Sequence, residues 1–509
     1  MINQRKAGFV LSYVQIAVNS IVGILYTPFM ISSLGDVEYG LYQLILSTIG
    51  YLALLDFGLG GTLTRFILKY KTENDSEKVK SVISICVKIY FVLALAGVIL
   101  TFVLAYYLQD IFPATINGEN LQRARQMFIL MGIGSAISFF GNAYKGIINA
   151  HERYTVNKGV ALLKVLLRVS LIFFLLWIGC NALAIVLVDF VLCICIVLFD
   201  AAYSYKALDI RIFAGAWDSG LFKGLTTFSI FVFLQVIIAQ INNSLDRMLL
   251  GRYTTLEMVS LYAVVMQLYN LFNSCGGVIP SVTLPQRSRC VFRGNDDKTI
   301  TGVCAQYSRY QFLVLMPIFG GFLLFGQKFI HLWLHGRYDV LQVWLIAVMI
   351  IAPNILEFIE SPIFHVMKAK NMQATRSLLL FIVTIMNLIL SIILVKSIPI
   401  YGTAIGTAVS FMIGNNILSN IYYHKKVGIM IPLYFKKTFS RLLPTWGLSC
   451  VLGAALLLIP GTSWLTLVVQ CGGYLFLYAG LTYFLGMNQS EKKMVTDLIT
   501  KMRVRKTVN

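Results

Sequence analysis

LYQLILSTIGYLALLDFGLGG occupies residues 41–61, and Asp56 is its only charged side chain. A run of about 20 apolar residues is what an α-helix needs to cross the hydrocarbon core of a bilayer. Comparable runs recur throughout the 509 residues, of which 58% are hydrophobic and 13% are charged. Because a soluble domain carries about 25% charged residues, the sequence predicts an all-α polytopic membrane protein.

About fourteen transmembrane helices are predicted from these runs. The starts of the first six helices and of the next six differ by about 211 to about 225 residues, which indicates an internal repeat. Six is an even number, so both halves begin on the same side of the membrane and form parallel repeats. The predicted divisions are 1–207 and 208–424 for the two repeats, and 425–509 for two further helices and a basic cytoplasmic tail. The predicted helices cover residues 10–33, 41–66, 81–107, 124–150, 158–179, 181–205, 221–249, 256–285, 306–333, 340–366, 375–396, 400–424, 439–459 and 463–486.

The formal charge of +20 is distributed by topology. With the N-terminus placed in the cytoplasm, the predicted cytoplasmic segments and the span ends beside them hold 32 Lys and Arg residues. The exterior segments with their span ends hold 6, and 4 lie deeper within the spans. This bias follows the positive-inside rule and predicts that both termini are cytoplasmic. The cytoplasmic bases would face anionic membrane lipids, so the charge requires no nucleic-acid partner. The four bases within the spans are Lys88, Lys164, Arg168 and Lys328.

Polar side chains share helix faces in several otherwise apolar spans, which is typical of helices that line a wet cavity. Helical spacing places Gln235, Asn242 and Asp246 on one face, and it places Asn270 and Asn273 on one face of the next helix. Interhelical hydrogen bonds are the alternative interpretation of these amides. Further polar members of such faces are Ser12, Gln15, Asn19 and Gln267. The prolines that would kink the spans are Pro28, Pro280, Pro285, Pro317, Pro353 and Pro362.

Lys164 and Arg168 are the most informative charges at membrane depth. They are four residues apart, so both project from one face of a helix that enters from the cytoplasm. Two bases without a neighbouring acid favour an anion, which is either a substrate phosphate or a carboxylate of the protein such as Asp189. Lys145 and Arg65, near the cytoplasmic ends of their helices, are further candidates for substrate binding.

The predicted second repeat carries mostly acids at membrane depth. Glu357 and Glu360 share a helix face, and two adjacent acids in a low dielectric favour the uptake of a proton. Together with Asp246 they are candidates either for proton or sodium coupling or for ion pairs with bases. Asp56 is another candidate for an ion pair. Nine residues of straight helix, about 13.5 Å, separate it from Arg65 and place the two on opposite faces.

Three motifs resemble the Wzx-type polysaccharide flippases of bacteria. They are YTPFMISSLGDVEYGLYQLILSTIGYLALLDFGLGGTLTRF at 26–66, INAHERY at 148–154 and NNSLDRMLLG at 242–251. The resemblance implies the fold of the multidrug/oligosaccharidyl-lipid/polysaccharide exporter superfamily. It also implies that the protein moves undecaprenyl-diphosphate-linked oligosaccharides to the outer face of the bacterial inner membrane by alternating access, with a polysaccharide polymerase as a partner in the pathway.

Basic residues that line the lumen are a feature of this family. They match Arg65, Lys145, Lys164 and Arg168 in this sequence. The sequence departs from the related peptidoglycan-precursor flippases in one respect, because it contains no arginine between Lys6 and Ser33 and so lacks their arginine cluster in the first helix.

Two other functions were weighed against the flippase interpretation. A cation-coupled antiporter for drugs or metabolites would use Glu357 or Asp246, but the basic first repeat favours an anionic substrate. A membrane polymerase or ligase needs a sizeable exterior loop, and the longest one, QDIFPATINGENLQRAR at 109–125, contains no His. The sequence therefore predicts a transporter, not an enzyme, with no cofactor or metal. The nine cysteines are interpreted as small apolar residues of the helix interfaces.

Overall fold

The computed structural model describes residues 2–210, 215–277, 296–370, 372–493 and 496–497. Every regular element in these ranges is a helix. Twelve helical stretches in the described residues, two of which contain two consecutive α-helices, are long and apolar enough to cross a membrane. This confirms the prediction of an all-α polytopic protein, while the number fourteen and the cytoplasmic position of the termini stay predictions.

The helices follow the predicted spans closely. The apolar runs that define the predicted spans are also the segments whose side chains are buried or face lipid. Predicted elements that fall between 278 and 295, including Pro280 and Pro285, lie outside the described residues, as does most of the basic tail. The bounds are α1 Ile2–Leu34, α2 Asp36–Leu52, α3 Leu59–Thr72, α4 Ser76–Tyr106, α5 Glu119–Ala150, α6 Tyr154–Trp177, α7 Ala182–Leu208, α8 Ser219–Tyr253, α9 Leu256–Gly276, α10 Asp297–Leu334, α11 Val340–Ile359, α12 Ser361–Ala369, α13 Gln373–Ser397, α14 Pro399–Phe411, α15 Ile431–Phe439, α16 Leu442–Ala454 and α17 Trp464–Leu481.

The predicted helix over 41–66 is broken into α2 and α3. A 3-10 turn, Ala53–Asp56, follows α2, and then Phe57 and Gly58 adopt positive φ angles of 49° and 67°. An α-helix of L-residues does not continue through positive φ. The sequence-based distance of about 13.5 Å between Asp56 and Arg65, which assumed a straight helix, is therefore wrong because the two residues lie in different helical segments.

Gly58 is required at this break for two reasons. Its φ of 67° lies in the left-handed region that favours glycine. A Cβ at this position would also lie 2.4 Å from Cγ1 of Val232 on α8, so the backbone approaches α8 too closely for a side chain. The neighbouring Gly60 and Gly61 lie inside α3, and a Cβ on Gly61 would meet no atom within 4 Å.

The chain forms two compact units. The first consists of Met1–Gln267 and Leu380–Thr407, and the second consists of Leu268–Leu379 and Ala408–Asn509. Within the first unit, α5 packs along both α4 and α7. The predicted division of the chain at residues 207 and 424 stays a prediction.

A buried ion pair anchors the end of the described chain in the second unit. Arg309 of α10 donates from Nε to Oε1 of Glu491 at 2.6 Å and from Nη2 to Oε2 at 2.8 Å. Nη2 also donates to the carbonyl of Gly486 at 2.8 Å. The two charged side chains are 4% and 3% exposed, so this bidentate pair holds the segment after α17 against α10.

Candidate functional site

Arg168 is the centre of a charged cluster in the first unit. Its Nε donates to Oδ1 of Asp189 on α7 at 2.5 Å, and its Nη2 donates to Oδ2 at 3.0 Å. Nη2 also donates to the hydroxyl of Tyr42 at 2.9 Å, and the Tyr26 ring lies 5.9 Å from the guanidinium carbon. Arg168 and Asp189 each keep 27% of their side-chain exposure, so the pair is satisfied and yet accessible to a competing anion.

Lys164 and Lys145 lie near this cluster. Lys164, one turn before Arg168, is half-buried and forms no hydrogen bond or ion pair with the residues that the structure describes. Lys145 on α5 is exposed. Cys193 on α7 lies within electrostatic range of both ammonium groups and of Asp189. The first unit thus brings three of the four predicted basic residues to the same group of helices.

Asp200 belongs to the same helix group but was not predicted as a site residue. It is fully buried on α7, and neither carboxylate oxygen has a hydrogen-bond partner in the described part of the chain. Lys145 is within electrostatic range of it. A buried carboxylate without hydrogen bonds needs a nearby counter-charge or a bound proton, and Lys145 is the base within range of Asp200.

Arg65 has a different environment. It is exposed on α3, and its guanidinium carbon lies 4.2 Å above the ring of Phe228 on α8, which is a cation–π contact.

His151 directly follows α5, and its Nδ1 donates to the carbonyl of Ile147 at 2.9 Å. Burial lowers the pKa of His151 below its usual 6.5, so this imidazole is neutral at pH 7 and adds no positive charge.

Asp246 sits in a cluster of neutral oxygen-bearing side chains in the first unit. The Tyr262 hydroxyl donates to Oδ2 of Asp246, and the Thr407 hydroxyl donates to the same oxygen at 3.0 Å. Thr407 also lies 3.2 Å from Oδ1 of Asn387, which accepts from Ser391 at 2.9 Å. Oδ1 of Asp246 is buried and has no partner among the described residues. Asp246 thus has neutral hydrogen-bond partners and no ion pair within the described residues.

The predicted polar faces have different environments. Asn242 is half-buried, and its Oδ1 accepts from the Thr384 hydroxyl at 3.4 Å, so the interhelical alternative describes it well. Asn270 and Asn273 of α9 are exposed. Their amides are therefore available to a polar ligand.

The acids of the second unit have separate partners. Glu357 accepts from Arg376 at 3.4 Å and from Nδ2 of Asn415 at 2.7 Å. Glu360 is 0% exposed, and its Oε1 accepts from Asn420 at 2.8 Å. Oε2 of Glu360 is buried without a partner in the described ranges. Glu357 thus fits the ion-pair alternative, and Glu360 fits a proton-binding group.

Asp56 is placed at the break between α2 and α3. Its carboxyl group faces Tyr90 of α4 and Asn142 of α5. It forms no ion pair within the described part of the chain. Asp56 and Arg65 are therefore not partners, and the predicted partner base for Asp56 is not among its contacts.

A family model described as polysaccharide biosynthesis protein matches residues 5–291, which is more than half of the chain. This chain is a member of the polysaccharide biosynthesis protein family. Membership in this family, together with the apolar helices, identifies a multi-pass membrane protein.

Two curated relatives are similar in sequence to this family member. One is EpsK, an uncharacterized membrane protein of Bacillus subtilis, which is 20% identical over 498 residues and is matched over 94% of both chains. The other is Agl15, a probable low-salt glycan biosynthesis flippase of Haloferax volcanii. It is 23% identical over 185 residues, which cover 36% of this chain and 38% of Agl15.

Two solved structures share the fold of this family member. The lipid II flippase MurJ in an inward closed conformation superposes with a TM-score of 0.72 at 15% identity, covering 95% of this chain and 98% of MurJ. An inward-facing multidrug resistance transporter of the MATE family superposes with a TM-score of 0.59 at 15% identity, covering 81% and 94%.

Arg247, Asp200 and Tyr42 are three of the polar residues in or beside these clusters that the sequence analysis did not select. In the sequence, Tyr42 looks like an ordinary aromatic residue of a membrane interface. Asp200 looks like a single acid in an apolar helix. The sequence does indicate Arg247, because Asp246 and Arg247 are consecutive charged residues at membrane depth. Their side chains point to different sides of the helix and need separate partners.

Proposed function

We propose that this protein is a flippase for polyprenyl-diphosphate-linked oligosaccharides, such as undecaprenyl-diphosphate-linked repeat units, in a bacterial inner membrane. The observation that carries this proposal is the pairing of Arg168 with Asp189 beside Lys164, which forms no ion pair within the described residues. Two bases on one helix face at membrane depth provide more positive charge than a single carboxylate neutralises.

A diphosphate fits this arrangement chemically. A guanidinium group binds phosphate oxygens through two parallel hydrogen bonds, as it binds the Asp189 carboxylate here. An incoming diphosphate would exchange with Asp189 and would be neutralised by Lys164 as well. Lys145 and Arg65 are proposed to contact the anion nearer the cytoplasm, and the exposed amides of Asn270 and Asn273 are proposed to contact sugar hydroxyls.

Asp246 is proposed to couple transport to a cation or a proton. Its hydrogen-bond partners are neutral hydroxyls, and one carboxylate oxygen is unoccupied among the described residues. Carboxylate, carbonyl and hydroxyl oxygens are suitable ligands for a hard cation. Transport by alternating access would then follow the occupancy of this cluster.

Depletion of the protein in its own cells tests the proposed substrate. If the proposal is correct, a polyprenyl-diphosphate-linked oligosaccharide accumulates on the cytoplasmic face, where mass spectrometry of extracted lipids identifies its sugars. Arg168→Ala should give the same accumulation while the protein stays in the membrane. Lys328→Met is the matched control, because Lys328 is also a base at membrane depth but donates to Gln470 at 2.9 Å. Unchanged lipid-linked oligosaccharides in depleted cells would refute the proposal.

A further inference from the structure

The outer half of the interface between α2 and α8 contains a row of polar side chains. Gln240, Ser244 and Arg247 are spaced four and three residues apart on α8, so they share one face. Nε2 of Gln240 donates to the Ser244 hydroxyl at 2.7 Å. A Cβ on Gly50 of α2 would lie 2.1 Å from that same Nε2. This face of α8 is therefore directed at α2.

Arg247 ends this row with unused donors. Its Nη1 donates to Oε1 of Gln43 on α2 at 3.0 Å, and its Nη2 donates to the carbonyl of Asn243 at 2.9 Å. Nε is buried and has no hydrogen-bond partner among the described residues. A guanidinium group has five N–H donors, so three of the five make no hydrogen bond with the residues that the structure describes.

The neighbouring acid does not neutralise Arg247 by contact. The Asp246 carboxylate accepts from Tyr262 and Thr407 instead, and adjacent residues of a helix point about 100° apart. Within the described chain, no carboxylate lies within ion-pair distance of Arg247. A partly buried arginine held by two neutral acceptors favours an additional anion.

The aromatic neighbours of Arg247 strengthen this preference. The phenol groups of Tyr39 and Tyr51 lie within electrostatic range of the guanidinium group. Hydroxyl and amide groups beside a guanidinium can donate further hydrogen bonds to phosphate oxygens. Arg247 is six residues before the end of α8 at Tyr253, about 9 Å by helical rise, and this end is exterior in the predicted topology.

We infer that Arg247, with Tyr51 and Gln43, forms a second phosphate-binding site in the outer half of the membrane. This inference rests on the proposed flippase function. The site takes the diphosphate of the lipid-linked oligosaccharide after the anion has left the Arg168 cluster. Because Asp246 is adjacent, a proton or cation on Asp246 removes a negative charge beside Arg247 and strengthens its attraction for the diphosphate.

The test is binding of inorganic diphosphate to the full-length protein in neutral phosphatidylcholine nanodiscs, measured by calorimetry. The variants are Arg247→Gln, Arg247→Lys and Arg168→Gln. The control is Arg252→Gln, which removes an exposed guanidinium from the same helix, where it donates to the carbonyl of Ile111 at 2.7 Å. Unfolding midpoints and elution profiles of all variants establish that they are folded.

If the inference is correct, Arg247→Gln removes one diphosphate site or weakens it by about tenfold, the ratio that a lost charge-assisted hydrogen bond gives. Arg247→Lys should restore part of the binding, and Arg252→Gln should bind as the wild type does. Equal binding by Arg247→Gln and the wild type would overturn the inference. Loss of binding in Arg247→Gln without any change in Arg168→Gln would instead contradict the proposed role of Arg168.

A second arm identifies the source of the phosphate. The same titration is repeated in nanodiscs that contain phosphatidylglycerol. Retained binding of diphosphate supports a site for the substrate lipid. Abolished binding in these nanodiscs, restored by phosphatidylcholine, would assign Arg247 to the headgroups of bulk phospholipids and overturn the substrate assignment.

Discussion

The Thr407 hydroxyl donates to Oδ2 of Asp246 at 3.0 Å, although the two residues are 161 positions apart in the chain. This contact joins α14 to α8 inside the first unit. It places a single acid among neutral oxygen ligands, which no local pattern of sequence displays. Arg247 directly follows Asp246, the proposed coupling residue, in the chain.

Asp246→Asn should uncouple transport from the ion gradient. The amide keeps the size of the side chain, but it loses the negative charge that attracts a cation or a proton. In proteoliposomes, transport by the wild type should respond to an imposed proton or sodium gradient, and transport by Asp246→Asn should not. Asp110→Asn is the control, because Asp110 is exposed and lies in a segment that the predicted topology places outside. A full gradient response in Asp246→Asn would exclude this role.

Asp189→Asn should strengthen binding of inorganic diphosphate several-fold. The carboxylate occupies two donors of Arg168. The amide of Asn has no charge and only one oxygen acceptor, so it competes less well with a phosphate for those donors. Calorimetry on the purified variant measures the effect. If Asp189→Asn bound diphosphate more weakly than the wild type, Asp189 would be part of a structural pair and not a competitor of the substrate.

Arg309→Ala should destabilise the second unit by about 3–5 kcal/mol, because it leaves the buried carboxylate of Glu491 without its counter-charge. The midpoint of thermal unfolding in detergent should fall clearly. Lys78→Ala breaks a pair with Asp75 that is 49% and 32% exposed, and it should leave the midpoint unchanged. A stable Arg309→Ala protein would show that the pair does not anchor the segment after α17.

Gly40→Ala should disturb the contact between α2 and α9. A Cβ on Gly40 would lie 2.0 Å from the carbonyl oxygen of Leu256, and such overpacking costs about 1–3 kcal/mol. Gly61→Ala is the matched control, because a Cβ there meets nothing within 4 Å and alanine favours a helix by about 1 kcal/mol. Unfolding midpoints of both variants should therefore shift in opposite directions. Equal midpoints would show that α2 can move away from α9 freely.

The sequence predicts the helices and the main charges well for physical reasons. The spans can be recognised in the sequence because the apolar runs have the length of a bilayer core. The shared helix face of Lys164 and Arg168 can also be recognised, because it depends only on their spacing of four residues. The sequence does not show the break at Phe57 and Gly58, because the apolar run continues through both residues and their positive φ angles are seen only in the fold. The assumption of a straight helix between Asp56 and Arg65 failed for that reason.

Long-range contacts explain the residues that sequence reasoning missed. The sequence shows that Arg247 is a charge at membrane depth, but its partner Gln43, 204 positions away, and its unpartnered Nε are known only from the fold. The same holds for the separation of Glu357 from Glu360. They share a helix face in the sequence, but Asn415 and Asn420 give them different environments.

The central proposal is that Arg168 binds the diphosphate of a lipid-linked oligosaccharide while the protein moves it across the bilayer. Proteoliposomes test this proposal most directly. These contain purified protein and the polyprenyl-diphosphate oligosaccharide extracted from depleted cells. A membrane-impermeant oxidant of sugar diols then measures how fast the inner-leaflet oligosaccharide becomes accessible from outside. We predict rapid exposure with the wild type and with Lys328→Met, and exposure no faster than in empty liposomes with Arg168→Ala. Equal rates for Arg168→Ala and the wild type would contradict the claim.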